Sequence, residues 1–135
     1  MLVVDASIAL SWCFKDEATA ATDKLVLRVR RQGAVVPAHW RLEVLNGLLV
    51  AERRSRIGRS EATAHVRTID DLGLEVDDET NGRAAHETLA LARAEQLSVY
   101  DAAYLELALR RGIALATRDR DLAKAAKRSG VAVVP

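Results

Sequence analysis

Short, largely apolar runs alternate with stretches of helical spacing along this 135-residue chain. The runs are LVV before Asp5, AVVPA from Ala34, LEV from Leu74, IALAT from Ile113 and VAVVP from Val131. They are rich in Val and Ala and apolar at successive positions, the pattern of strands buried on both faces. Between them lie SIALSWCF, EATAATDKLVLRVRRQG, HWRLEVLNGLLVAERRSR, SEATAHVRTIDDLG, ETNGRAAHETLALARAEQ, SVYDAAYLELALRRG and DRDLAKAAKRSG. These carry helix punctuation: Ser60 and Ser98 as caps, Gly33 and Gly112 as stops. There is no internal repeat, linker or low-complexity tract. The pattern predicts one α/β domain over residues 1–135, with a short-stranded, mainly parallel sheet covered by helices on both sides.

Only 4% of the residues are aromatic, so the core has to be built from Ala, Val, Leu and Ile. A net charge of +1 from 20 basic and 19 acidic residues implies no global field, and any nucleic-acid site must be a local patch. The single Cys13, in ALSWCFK, excludes an intramolecular disulfide and any CxxC motif, and reads as a small buried hydrophobe. No apolar stretch has the length of a membrane span, and an acid stands as early as position 5. These features predict a cytoplasmic protein with no membrane partner.

In a parallel sheet, ligands bind beyond the carboxyl ends of the strands. Asp5 ends the first run, and Thr117, Asp119 and Asp121 follow IALA, so parallel strands bring them to one edge. At about 100° per residue, Asp101 shares a helix face with Tyr104, Leu105 and Ala108, whereas Glu106 and Arg110 lie opposite and are expected to face water. Glu43 points roughly 160° away from Arg41, alongside Gly47 and Val50. Singly, all but Glu43, which lies within a helix pattern, read well as helix caps: Asp5 for the helix after it, Ser98 to Asp101 as a capping box, Asp119 or Asp121 for the last helix. Together, several inward carboxylates repel one another, and protonation, basic partners or a bound cation must offset that. Oxygen-only ligands point to Mg²⁺, with Mn²⁺ as the alternative. His39, His65 and His86 show no zinc-hydrolase spacing, and no P-loop, GxGxxG turn or GxSxG elbow is present. What remains is metal-assisted hydrolysis of a phosphate ester.

Four stretches in order carry a resemblance: VVDASIAL, PAHWRLEVLNGL, LSVYDAAYLELALRRG and ALATRDRDL. The chain resembles the PIN domain over essentially its whole length, and most closely the VapC-type toxins of bacterial toxin–antitoxin pairs. The resemblance implies a three-layer α/β/α domain and a Mg²⁺-dependent endoribonuclease. Matched by motif, Asp5, Glu43, Asp101 and Asp119 form the implied catalytic site. Asp5 and Asp101 are the main metal ligands, and Glu43, Asp119 and Asp121 are further candidates. Ser7, Asn46 and Thr117 fall on polar positions that orient ligands or hold water. Asp121 either caps the last helix or extends the site.

Arg118 and Arg120 interleave with the acids. They either contact RNA phosphate or pair with Asp119 and Asp121 to balance charge. Few aromatics argue against a base-stacking platform. The resemblance also implies a protein antitoxin whose C-terminal segment lies near the acids, operator DNA reached only through that antitoxin, and a homodimer. WRLEVLNGLLVAERR and EATAHVRTIDDLG are the candidate partner surfaces. A haloacid-dehalogenase-type phosphatase needs a second Asp where Ser7 stands. A receiver domain needs an acidic pair near Asp5 and a Lys after IALAT, and this chain has neither. The non-enzyme alternative is a catalytically silent PIN module that binds RNA or protein, whose mark would be a missing acid.

Overall fold

A computed structural model describes residues 1–135. Strand β1 (Leu2–Val4) leads through α1 (Ala6–Cys13) and α2 (Ala20–Gln32) to β2 (Ala34–Val36). Helices α3 (Trp40–Arg53) and α4 (Arg59–Asp70) then lead to β3 (Glu75–Val76). The return runs through α5 (Thr80–Arg83), a π-helical turn (Ala84–Thr88), α6 (Leu89–Glu95) and α7 (Val99–Arg111) to β4 (Leu115–Ala116). Helix α8 (Arg120–Arg128) and β5 (Val133–Val134) complete the chain.

The five strands are all parallel, in the order β3-β2-β1-β4-β5. The chain thus steps outward from β1 to β3, then crosses back to start again at β4 beside β1. Val3 stands opposite Leu115 and Val4 opposite Ala116. Parallel crossovers of one hand put the helices of the two halves on opposite faces. On one side α1 packs on α2 and α3, and α3 on α4; on the other α7 packs on α6, α8, β1 and β4. This is the three-layer α/β/α arrangement expected. The direction of winding switches between β1 and β4, and side chains just past these strands meet in the crevice there.

Strands β1, β2 and β4 are wholly buried, as their apolar runs predict. The third run differs: Glu75 and Val76 are both exposed, because β3 is an edge strand. Phe14, Trp40 and Tyr104 are the aromatic exceptions in an otherwise aliphatic core cluster. Cys13 is half-buried, and burial pushes its thiol up to about 11, so it is an inert packing group.

Local chemistry accounts for several helix ends. Ser98 caps α7 by accepting the Asp101 N–H at 3.0 Å, and Gly112 ends it in the left-handed region at φ 64°. Gly33 takes φ 75° after α2. Ser60 does not cap α4, contrary to expectation. The helix begins two residues earlier, at Arg59, Gly58 takes the cap position, and Glu61 reaches back to accept its N–H at 3.3 Å.

Candidate active site

Asp5 continues the β1 ladder, its N–H donating to Ala116 O at 2.9 Å, and is 5% exposed. It stands at the N-cap position of α1 but makes no side-chain cap bond, which overturns the simple cap reading. Its carboxylate turns instead to two hydroxyls. Thr117 Oγ1 donates to Oδ2 at 2.6 Å, and Ser7 Oγ donates to the same oxygen at 2.9 Å. Each hydroxyl in turn accepts a backbone N–H from the loop after β4. Ser7 takes that of Arg118 at 3.0 Å, and Thr117 that of Asp119 at 3.0 Å. The two strand ends flanking the switch point are thereby tied through Asp5. Burial raises the Asp5 pKa; the Thr117 and Ser7 bonds oppose this, and the Glu43 charge adds to it.

Asp101 lies in the first turn of α7, half-buried. Only its backbone serves the cap, so its carboxylate is free of Ser98's N–H and the capping box is incomplete. Its pKa is pushed up to about 6, first by burial and then by the charges of Asp119, Asp5 and Glu43. This coupling shows that the four acids share one field. Asp119 caps α8, its Oδ1 accepting the Leu122 N–H at 2.8 Å, so capping and membership of the acidic group coexist. Asp121 is exposed one residue into α8 and is not the cap, which closes one of its two readings.

Glu43 is fixed through a single oxygen. Tyr104, buried on α7, donates its hydroxyl to Oε1 at 2.9 Å, and His39 Nε2 lies 2.8 Å from the same atom. His39 Nε2 also lies 3.1 Å from Tyr100 O, and its ring sits edge-on to Tyr104 with centroids 5.2 Å apart. Glu43 Oε2 has no protein partner. His39 belongs to no zinc-ligand spacing. Its i,i+4 relation to Glu43 was the available signal.

Asn46 is exposed on α3 and makes no side-chain hydrogen bond, so it is not tied into this group. Arg118 lies 3.6 Å from Glu17, and Arg120 has no acid within ion-pair distance. Neither pairs with Asp119 or Asp121, so the charge-balance reading of these arginines fails. Ser7 and Asp119 open onto a cleft of about 570 Å³ walled by Leu10, Phe14 and Val50, with Glu17, Arg56 and Arg118 at its polar side. Gly47 forms part of its floor where α1 and α3 approach each other.

One other acidic group stands out, and its chemistry differs. Carboxylate oxygens of Asp77, Asp78 and Glu79 all lie within 4.8 Å of one another. Arg110 supplies the cation there: it bonds Asp77 at 2.8 and 3.1 Å, Glu79 at 3.0 Å and Glu106 at 2.8 and 3.1 Å. Glu106 is only 5% exposed. The expectation that Glu106 and Arg110 face water is thus overturned, because the α5 side of the molecule covers them. Burial alone would raise Asp77, but the Arg110 and Thr80 bonds outweigh it and hold its carboxyl below the usual range. At the switch point, by contrast, Asp5, Asp101 and Asp119 have no Arg, Lys or His within ion-pair distance, and Glu43 has only His39. An all-oxygen donor set, uncompensated and partly unpartnered, fits a hard divalent cation.

Comparison with known proteins gives the fold a family. The model of the PIN domain matches residues 2–128. The crystal structure of PAE2754 from Pyrobaculum aerophilum is similar over 98% of this chain and 83% of that chain, at 25% identity and a TM-score of 0.72. None of the curated proteins matches. PIN domains are generally nucleases and usually use divalent metal ions. With the family pattern spanning nearly the whole chain, and the acids drawn to the switch point of a parallel sheet, the chain belongs to the PIN domain family.

Proposed function

We propose that this protein is a Mg²⁺-dependent endoribonuclease and the toxin of a toxin–antitoxin pair. The observation that carries the nuclease reading is Asp101: it is half-buried, its pKa is raised by Asp119, Asp5 and Glu43, and no basic side chain pairs with it. Such a group holds its negative charge at neutral pH most readily against a cation. Asp5 and Asp101 would hold the ion, with Glu43 offering its free Oε2 and Asp119 the oxygen not spent on capping. Bound Mg²⁺ supplies charge stabilisation at the phosphate and a water of lowered pKa. Thr117 and Ser7 keep Asp5 in one orientation through the bonds they donate. Glu43, held by Tyr104 and His39, together with Asp119, orients the water that attacks the phosphodiester. The expected products carry a 5′-phosphate and a 3′-hydroxyl. Asp121 and Asn46 are peripheral in this reading, as outer contributors through water.

The toxin role rests on the resemblance of the ordered motifs to VapC-type chains. It brings a protein antitoxin, whose segment suits the mixed apolar and charged cleft beside Asp119, and operator DNA reached only through it. It also brings a homodimer, for which Leu42 and Leu49 of α3 are among the exposed large apolar side chains.

The test is RNA cleavage in Mg²⁺ and in EDTA, by the protein and by Asp5→Ala and Asp101→Ala. Cleavage that needs Mg²⁺ and is lost in both variants is expected. Full activity in either variant, or in EDTA, would overturn the assignment, and a folded protein that binds RNA without cutting it would make this a silent module. Growth arrest on induced expression, absent with Asp101→Ala, is the expected sign of a toxin.

A further inference from the structure

We infer that the face of α4 bearing Arg59 and Arg67, with the α3–α4 corner leading to it, is a docking track for the phosphate backbone of RNA. The inference rests on the nuclease reading only for the nature of the polyanion and for what lies at the track's far end.

Charge is the first observation. Residues 53–67, RRSRIGRSEATAHVR, hold five of the chain's 20 basic residues and one of its 19 acidic ones. The segment is thus +4 and the rest of the chain −3 in formal charge, although residues 23–31 and 118–128 are also net positive, at +3 each. The pairing of the arginines is the second. Arg41, Arg83, Arg110, Arg111 and Arg128 are each held by an acid. Arg53, Arg54, Arg59 and Arg67 are exposed, and none has an acid within ion-pair distance. Charged side chains without partners, gathered on one surface, are the footprint of an anionic ligand.

The third observation is shape. A trough of about 780 Å³ runs along α4 between Arg59 and Arg67, over Ser60, Thr63 and Ala64, with no acid in its lining. These three small side chains keep the floor low between the two guanidinium groups. Arg59 and Arg67 stand two helical turns apart, about 12 Å along the axis. Thr63 donates its hydroxyl to Arg59 O at 3.1 Å, so the donors left for a phosphate are Ser60 and the arginines.

Continuity with the acids is the fourth. Arg59 also borders a depression shared with Arg56, and Arg56 lines the cleft that holds Ser7 and Asp119. The surface therefore passes from the acids by way of Arg118 and Arg56 to Arg59 and Arg67. Four acids accompany the passage: Glu17 lines the cleft, Glu52 and Glu61 line the depression, and Asp16 stands beside Arg56. Asp16 and Glu17 are bonded to Arg56, Glu61 is turned to the Gly58 N–H, and Glu52 stands unpaired. Arg56 is thus largely neutralised, and the binding strength is assigned to Arg59 and Arg67. An acidic peptide lying along this path would meet Asp119 at its end. A nucleic-acid backbone carries the same charge but meets there the site that cleaves it.

The experiment measures RNA affinity against salt in EDTA, so that binding is separated from cleavage. For a labelled single strand of about 20 nucleotides, each lost phosphate contact lowers the slope of log affinity against log salt by about 0.7. Arg59→Ala with Arg67→Ala is expected to lower it by about 1.4, and the loss is expected to shrink on a tetranucleotide too short to reach α4. Arg93→Ala, an exposed and unpaired arginine on α6, controls for simple loss of charge and is expected to keep the full slope. Circular dichroism verifies that the double variant is folded. An unchanged slope in the double variant overturns the track, as does an equal fall in Arg93→Ala. If the wild-type protein binds RNA with the full slope but does not cut it in Mg²⁺, the nuclease reading fails while the track stands.

Discussion

At the scale of single residues, Asp101 shows how a candidate metal ligand is held against the interests of the fold. Its carboxyl titrates near 6 rather than at its ordinary 3.8. Between those values the folded protein binds a proton that the unfolded chain releases, so metal-free stability falls as pH rises through this window. At neutral pH the ionised group is therefore destabilising. Asp101→Asn is expected to stabilise the metal-free protein by about 1 kcal/mol at pH 7.5, after discounting for its half-exposed setting, and to raise Tm by about 3 °C. The same variant should show no stabilisation by added Mg²⁺, whereas the wild-type Tm should climb with it. Thermal melts with EDTA and with Mg²⁺ at pH 5 and pH 7.5 check both statements. A wild-type protein whose metal-free stability rises from pH 5 to 7.5 would contradict this sign. The residue was legible in sequence as an acid on an apolar helix face. Its partners in the field were legible only as a list, since Asp5, Glu43 and Asp119 sit far apart along the chain.

At the scale of elements, α1 and α3 approach closely enough that Gly47 has no room to spare. A Cβ there would stand 2.6 Å from Leu10 Cδ1 and 2.8 Å from Cδ2. Leu10 lies partly exposed in the cleft, so its side chain can shift, but only by filling the cleft or parting the helices. Gly47→Ala is expected to cost about 1–2 kcal/mol in urea unfolding, the gain in helix propensity offsetting part of the overpacking. If the variant is as stable as the wild type, Leu10 rotates freely and the contact is looser than the geometry implies. The helix signals themselves read well from sequence at α7, where Ser98 and Gly112 do what their chemistry suggests. They misled at α4, where Gly58 with Glu61 formed the N-terminal arrangement and Ser60 did not. Glycine at a cap lacks a side-chain acceptor, so a search for hydroxyl caps overlooks it.

At the scale of the whole molecule, the two acidic groups differ in how their charge is met. Arg110 holds Asp77, Glu79 and Glu106 at the side of the sheet where the chain turns back from β3. Removing this cation leaves Asp77 and Glu106, both buried, without compensation. Arg110→Met is expected to destabilise the protein by about 3–5 kcal/mol at pH 7. Asp77 is held below its ordinary pKa in the fold, so the stability it contributes is present at neutral pH and lost as pH falls through its folded pKa. The deficit of Arg110→Met should therefore narrow toward pH 4, where the freed carboxylates take up protons. Urea melts at the two pH values measure this, and an equal deficit at both would place the effect in packing rather than charge. In the sequence alone, Glu106 and Arg110 look like an ordinary solvated i,i+4 pair, because helical periodicity places residues on a face but does not say what covers that face.

The apolar runs LVV, AVV and IALA by themselves determined a parallel sheet covered on both sides. Continuous burial leaves strands of that kind no solvent face, and the long stretches between them can only be crossovers. They also determined that Asp5 and Thr117 would emerge together at the carboxyl edge, since parallel neighbours end on the same side. Tertiary structure decided what surrounds those residues. It set Ser7 and Thr117 on one oxygen of Asp5, and His39 and Tyr104 on one oxygen of Glu43. It gave Arg110 to one acidic group and left the other without a cation, and it turned LEV into an exposed edge. Each of these depends on the distance between groups remote in sequence. Hydrogen bonding and charge compensation act over a few ångströms in space, and one-dimensional spacing carries that information only within an element.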